Sequence, residues 1–114
     1  MGAIDDYLQT LDAARRAALE HVVEVTRRVA PDAVDGRSYG VAALLVDGRP
    51  LLGVRAAAGH LALYPFSPPA VAVVADRLDA RQVSKGTVRF TVEKPLPDDV
   101  IEDLVRARLA ELTG

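Results

Sequence analysis

Two cations, two hydroxyls and a glycine fall within the seven residues Ser84-Lys85-Gly86-Thr87-Val88-Arg89-Phe90. Cations and hydroxyls that converge on a turn, with the backbone N–H groups around its glycine, form the donor set that a phosphate or carboxylate needs. The stretch is not a Walker A loop, because the upstream glycine at the required spacing is missing and the Gly-Lys order is reversed. Nor does it have a Ser-x-x-Lys partner of the β-lactamase kind. If it is a strand, alternation puts Val88 and Phe90 on one face and Thr87 and Arg89 on the other. The plain alternative is a tight turn whose charges are solvated or paired with Asp76, Asp79 or Glu93.

Two further constellations could do chemistry. His60 and Tyr64 are an even step apart and share a strand face, and with Tyr39 they would make a polar pocket whose titrating member is His60. No orienting partner or nucleophile accompanies the histidine, so an enzyme is the weaker reading. The carboxylates Asp5, Asp6 and Asp12, and the set Asp98, Asp99, Glu102 and Asp103, are the residue type that a hard cation such as iron prefers. Asp98 and Glu102 are four apart, as are Asp99 and Asp103, so each pair can converge on one helix face. The same carboxylates would stabilise a helix N-terminus through its dipole with no ligand present. His21 and His60 show no metal-ligand spacing.

The elements that must position these residues follow from periodicity. Ile4–Leu8 reads as one helical turn, and Asp12 caps a helix running to about Ala30. Its apolar stripe is Leu11, Ala14, Ala18, Val22, Val25 and Val29. Pro31 ends it, and Asp35-Gly36 reads as a turn. Val41–Val46 and Arg49–Ala56 flank Asp47-Gly48, a strong hairpin signal, and His60–Pro65 follows as a third strand of an antiparallel meander. Ser67-Pro68 opens a short helix with Val71, Val74, Ala75 and Leu78 inward. Val88–Val92 is one further strand. Past Pro95 and Pro97, Asp98 and Asp99 open a last helix with Val100, Ile101, Leu104, Val105, Leu109 and Leu112 inward. The expected fold is a single α+β domain over residues 1–114: an antiparallel sheet, the meander plus one strand, flanked by N-terminal, central and C-terminal helices.

Bulk properties bound the function. A chain of 114 residues that is half hydrophobic and a quarter charged fits one globular domain with its own core. The absence of cysteine excludes disulfides, a thiolate nucleophile and Cys-ligated zinc or iron–sulfur centres. The amino terminus Met1-Gly2-Ala3-Ile4-Asp5-Asp6 is acidic and reads as no signal peptide, and no apolar run would span a membrane. A net charge of −2 argues against a broad nucleic-acid surface. An exposed edge of the meander would suit a homodimer or a purely structural interaction domain.

Five blocks of the chain, taken together, resemble the YdhG-like family of domains of unknown function. They are Ile4-Asp5-Asp6-Tyr7-Leu8, Ser38-Tyr39-Gly40, the run His60 to Pro65, the run Ser84 to Phe90, and Pro95-Leu96-Pro97 followed by Asp99 and Ile101. Each is short, but their order and spacing extend over nearly the whole chain. The resemblance implies a small cytosolic α+β domain. One branch of the family is described as a frataxin-like iron chaperone, so it also implies iron binding at surface carboxylates and delivery to iron-using proteins. The chain departs from the family in its first hairpin. There Val41-Ala42-Ala43-Leu44 and Gly53-Val54-Arg55-Ala56-Ala57-Ala58 carry none of the aromatics usual in members, which puts any site those aromatics line in question. Two binding readings therefore stand. One is an iron chaperone using Asp98, Asp99, Glu102 and Asp103. The other is an anion or small-molecule module using Tyr39, His60, Tyr64, Ser84, Lys85, Thr87 and Arg89.

Overall fold

The architecture follows from a sheet that buries one of its faces. The computed structural model describes residues 2–114. Helices α1 (Ala3–Leu8) and α2 (Ala13–Val29) precede strands β1 (Val34–Ser38), β2 (Val41–Val46), β3 (Arg49–Ala57) and β4 (His60–Tyr64). Then come α3 (Pro68–Val74), two single 3-10 turns over Ala75–Arg77 and Ala80–Gln82, β5 (Val83–Ser84), β6 (Thr87–Phe90) and α4 (Asp98–Thr113). The six strands form one antiparallel sheet in the order β1-β2-β3-β4-β6-β5.

Register assigns the faces. Ala42 opposes Val54, Val54 opposes Leu63, and Leu63 opposes Val88, so all four point the same way. These residues, with Leu44, Leu52, Leu61 and Phe90, join Ile4, Leu8, Leu19, Val22, Val25, Val71, Val74, Ile101 and Leu104 in one buried cluster. All four helices contribute to it. The molecule is therefore two-layered, with helices on one side of the sheet. Leu51 and Leu52 are both fully buried although adjacent. A bulge allows this: Leu44 opposes Leu52 while Leu45 opposes Pro50, so Leu51 is the extra residue on its strand.

Three expectations are corrected. Asp35-Gly36 is not a turn but lies within β1, giving the meander four strands instead of three. Gly36 is needed there because a Cβ would come within 2.5 Å of Leu45 Cδ1, so the bare Cα makes room for that side chain. The turn falls later, at Tyr39-Gly40, where both residues have positive φ. The buried side of α2 is rotated from the expected stripe. Leu19, Val22, Val23, Val25 and Thr26 are buried while Ala14 is exposed. The first turns of α2 overhang the core, held by Arg16, whose guanidinium donates to the carbonyl of Leu8, at the end of α1, and to that of Leu11 in the turn after it. Finally, the last sheet strand ends at Phe90, and a two-residue strand, β5, pairs with it.

The caps are those expected. Asp12 accepts from Arg15 N–H, and the buried Ser67 hydroxyl oxygen accepts from Ala70 N–H while its proton goes to Glu111. Among the described residues no helix is long and apolar enough to cross a membrane.

Leu104 is fully buried between α4 and the sheet, so Leu104→Ala should cost about 2–5 kcal/mol in urea denaturation with an unchanged m-value. Val73→Ala, on the half-exposed side of α3, should change stability by no more than about 0.5 kcal/mol. Equal effects at the two positions would contradict the assigned inward faces.

Candidate functional site

On the face of the sheet turned away from the helices, Arg55 and Arg89 stand with no acidic strand neighbour. Ala62 opposes Arg55 on one side and Arg89 on the other, so the two arginines flank a buried alanine across three strands. At the usual strand spacing their Cα atoms are roughly 10 Å apart. Tyr64 opposes Gly53, and His60 opposes Ala57, both on this face. Thr87 and Ser84 oppose each other one step further along β6 and β5. Following the register, no strand position on this side is Asp or Glu. The one carboxylate within the strands, Asp35, opposes Leu44 on the helix side and pairs with Arg27.

Ala43, Gly53 and Ala62 are buried on this face, yet the two alanines lie outside the main cluster. Part of their cover comes from Phe66. A Cβ on Gly53 would stand 3.2 Å from the Phe66 ring and 3.1 Å from Val41 Cγ1, so the glycine floor lets that ring lie against the sheet. Tyr39 in turn stacks on Phe66, with ring centroids 5.9 Å apart.

The seven residues expected to form one ligand face are thus mostly on one surface but do not form one pocket. His60 and Arg89 line a cavity of about 440 Å³ together with Asp79, Arg81, Gln82 and Thr91. Gln82 ties its wall to β6, accepting from Asp79 N–H and donating to the Arg89 carbonyl. Asp79 is engaged by Lys94 at 3.0 Å. That hydrogen bond first, and then the Lys94 charge, hold its carboxyl below the ordinary range. The Arg81 charge also acts on Asp79, though the two make no close ion pair, and Arg89 has no carboxylate partner among the described residues. Tyr39 lines a different cavity, beside Arg37 and Arg55. Tyr64 stands on the open face between the two. Lys85 is at the exposed tip of the β5–β6 turn, where Gly86 takes a positive φ.

Sequence reasoning missed Arg55, Arg81 and Gln82. Strand alternation would have placed Arg55 on the same face as Gly53, but only the register across β4 sets it level with Arg89. Arg81 and Gln82 sit in a 3-10 turn with no sequence signature of its own.

The α4 carboxylates proposed for metal, and Asp12, are occupied otherwise. Asp99 and Asp103 do converge, but on Arg77, at 3.1 and 2.9 Å. Asp98 accepts from His21 Nε2 at 2.6 Å and lies 3.6 Å from Arg28. Glu102 faces Arg106 at 3.8 Å, and Asp12 caps α2. Among the described residues no three His, Asp or Glu side chains are grouped to hold a metal ion. A larger cavity, about 590 Å³, lies on the helical layer, where Asp5, Glu20 and Glu24 are interleaved with Arg27 and Arg28. Its three carboxylates outnumber the two arginines, which also pair with Asp35 and Asp98, so it does not favour an anion.

The hydrogen bond from His21, and secondarily the His21 and Arg28 charges, lower the Asp98 carboxyl below its ordinary value of 3.8. A carboxylate whose folded pKa is depressed contributes stability above its unfolded value and loses it as pH falls through the folded one. Asp98→Asn should therefore lower the thermal midpoint at pH 6, with the difference from the parent vanishing near about pH 2. A difference that persists at low pH would contradict the pairing.

No family model and no curated protein matches the chain. Among solved structures, the chain is similar to the crystal structure of a duf1801 family protein, YdhG, from Bacillus subtilis. The TM-score is 0.80 at 17% sequence identity, covering 96% of this chain and 90% of that one. At that identity the likeness establishes a shared fold.

Proposed function

We propose that the chain is a divergent member of the YdhG-like family that acts as a small anion-binding module, with its site on the open sheet face around His60 and Arg89. The observation that carries this reading is the segregation of charge. The molecule is acidic overall, but its carboxylates lie on helices, turns and the helix-facing side of β1, while Arg55, His60 and Arg89 share a sheet face that has none. Low local competition from carboxylates is what leaves a guanidinium free to bind an external anion. The cavity beside His60 and Arg89 falls within the size range of small-ligand sites. Family membership is supported by the five ordered blocks together with the shared fold.

Iron delivery, the activity described for one branch of that family, draws less support from these residues. Asp98, Asp99, Glu102 and Asp103 would each have to leave an arginine or histidine partner before meeting a cation.

Calorimetry with inorganic phosphate at low salt tests the anion reading. Saturable binding is expected, weakened about tenfold or more in Arg89→Gln, since a hydrogen bond to a charged group contributes about 1.5–3 kcal/mol. The double variant Asp99→Asn/Asp103→Asn should bind phosphate as the parent does. No saturable heat, or an affinity indifferent to Arg89, would overturn the proposal.

A further inference from the structure

The turn between β1 and β2 holds an aromatic residue where the backbone disfavours one. Tyr39 and Gly40 both have positive φ, 52° and 75°, which is a two-residue type I′ hairpin. Asn, Asp or Gly suits the first of these positions, and the same chain uses Asp47 at the equivalent place in the β2–β3 hairpin, with φ 51°. Tyr39 does not earn the strained conformation by packing in the core, because it is 88% exposed. One face of its ring rests on Phe66, itself a bulky residue at positive φ, and the other face is open. Two strained aromatics thus hold one flat ring out over the sheet.

Beside that ring, past the end of β2, is a cleft of about 340 Å³ lined by Arg37, Arg55 and Tyr7; the register brings Arg37 to it from the helix-facing side of the sheet and Arg55 from the open side. Neither arginine has an acidic partner or a side-chain hydrogen bond among the described residues. The Tyr7 hydroxyl oxygen accepts from Ala56 N–H at 2.8 Å, past the end of β2. Its own proton has no acceptor among the described residues, so the phenol is a fixed donor at the cleft. An exposed aromatic plane next to two guanidiniums and a hydroxyl donor matches a ligand with a flat ring and an anionic group. The size of the cleft suits a mononucleotide.

We propose that this cleft is a second site, distinct from the His60 and Arg89 cavity, and that it takes a nucleoside monophosphate. The base stacks on the open face of Tyr39, and the phosphate is held by Arg37, Arg55 and the Tyr7 hydroxyl. The inference does not depend on phosphate binding at Arg89.

The test is calorimetry with AMP, adenosine and inorganic phosphate on the full chain and on its Arg89→Gln variant, which removes the other cavity's contribution. In Arg89→Gln, AMP should bind at least tenfold more tightly than either adenosine or phosphate. Tyr39→Asn restores the favoured Asn-Gly turn, so the thermal midpoint should not fall, yet AMP affinity should drop at least fivefold. Tyr39→Phe should keep it. Arg37→Gln and Arg55→Gln should each weaken AMP about tenfold. The proposal is overturned if AMP binds no better than phosphate, if Tyr39→Asn retains AMP affinity, or if AMP binding disappears with Arg89→Gln alone.

Discussion

One-sided burial is the constraint on which the rest depends. Six strands supply enough apolar surface on one face to pack against all four helices, and Leu51 and Leu52 add a double contribution through the β3 bulge. The opposite face receives no helix, so its strand positions cannot be large and apolar without exposing them to water. From β3 to β5 they are mainly glycine, alanine, serine and threonine with a few cations, His60 and Tyr64, while Val34, Val41 and Leu45 leave an apolar area at the β1–β2 end, beside the Phe66 and Tyr39 rings. Gly53 and Ala62 keep the floor flat, and the chain's own loop after β4 supplies part of the cover. A binding face arises as the remainder of a folding solution.

Electrostatics follow the same division. The helices carry most of the acids because first-turn carboxylates and intrahelical pairs are favourable there. Arg77, Arg28 and Arg106 then answer those acids across the helical layer. Arg16 and Arg49 are spent on backbone carbonyls; the arginines left with neither acid nor carbonyl are Arg55 and Arg89 on the open face, Arg37 on the helix-facing side of β1, and Arg81 in the 3-10 turn. A net charge of −2 therefore describes neither layer. It is the average of an acidic helical side and a sheet side with basic residues, and a small anion meets only one of them at a time.

The helices were legible in the sequence because their caps and stripes are local signals: Asp12, Ser67-Pro68 and Asp98 each mark a start within a residue or two. The hairpin at Asp47-Gly48 was equally plain. Strand β1 was not, because Asp-Gly has two meanings. It supplies positive φ at residues 47 and 48, whereas at Gly36 it supplies absence of a side chain beneath Leu45. Half of the candidate site was visible as residue types, since His60, Tyr64, Thr87 and Arg89 do share a face. What was invisible is relative position across strands. That Arg55 is level with Arg89, and that Tyr39 lies with Arg37 instead of His60, depends on register and on the β1–β2 turn. The acidic pairs on α4 show the converse. Asp99 and Asp103 do converge, but on Arg77, from a 3-10 turn no spacing rule could bring near, whereas Asp98 and Glu102 part, one to His21 and Arg28 and the other to Arg106.

The central claim is that anions meet this molecule on the uncovered sheet face and not on its helices. Backbone amide chemical shifts followed during a phosphate titration of isotopically labelled protein test it most directly. The account predicts saturable shifts at His60, Gln82, Arg89 and their strand neighbours, with the amides of α2 and α4 unmoved. Shifts centred on α2 and α4, around Arg28, Asp98 and Arg106, would contradict it.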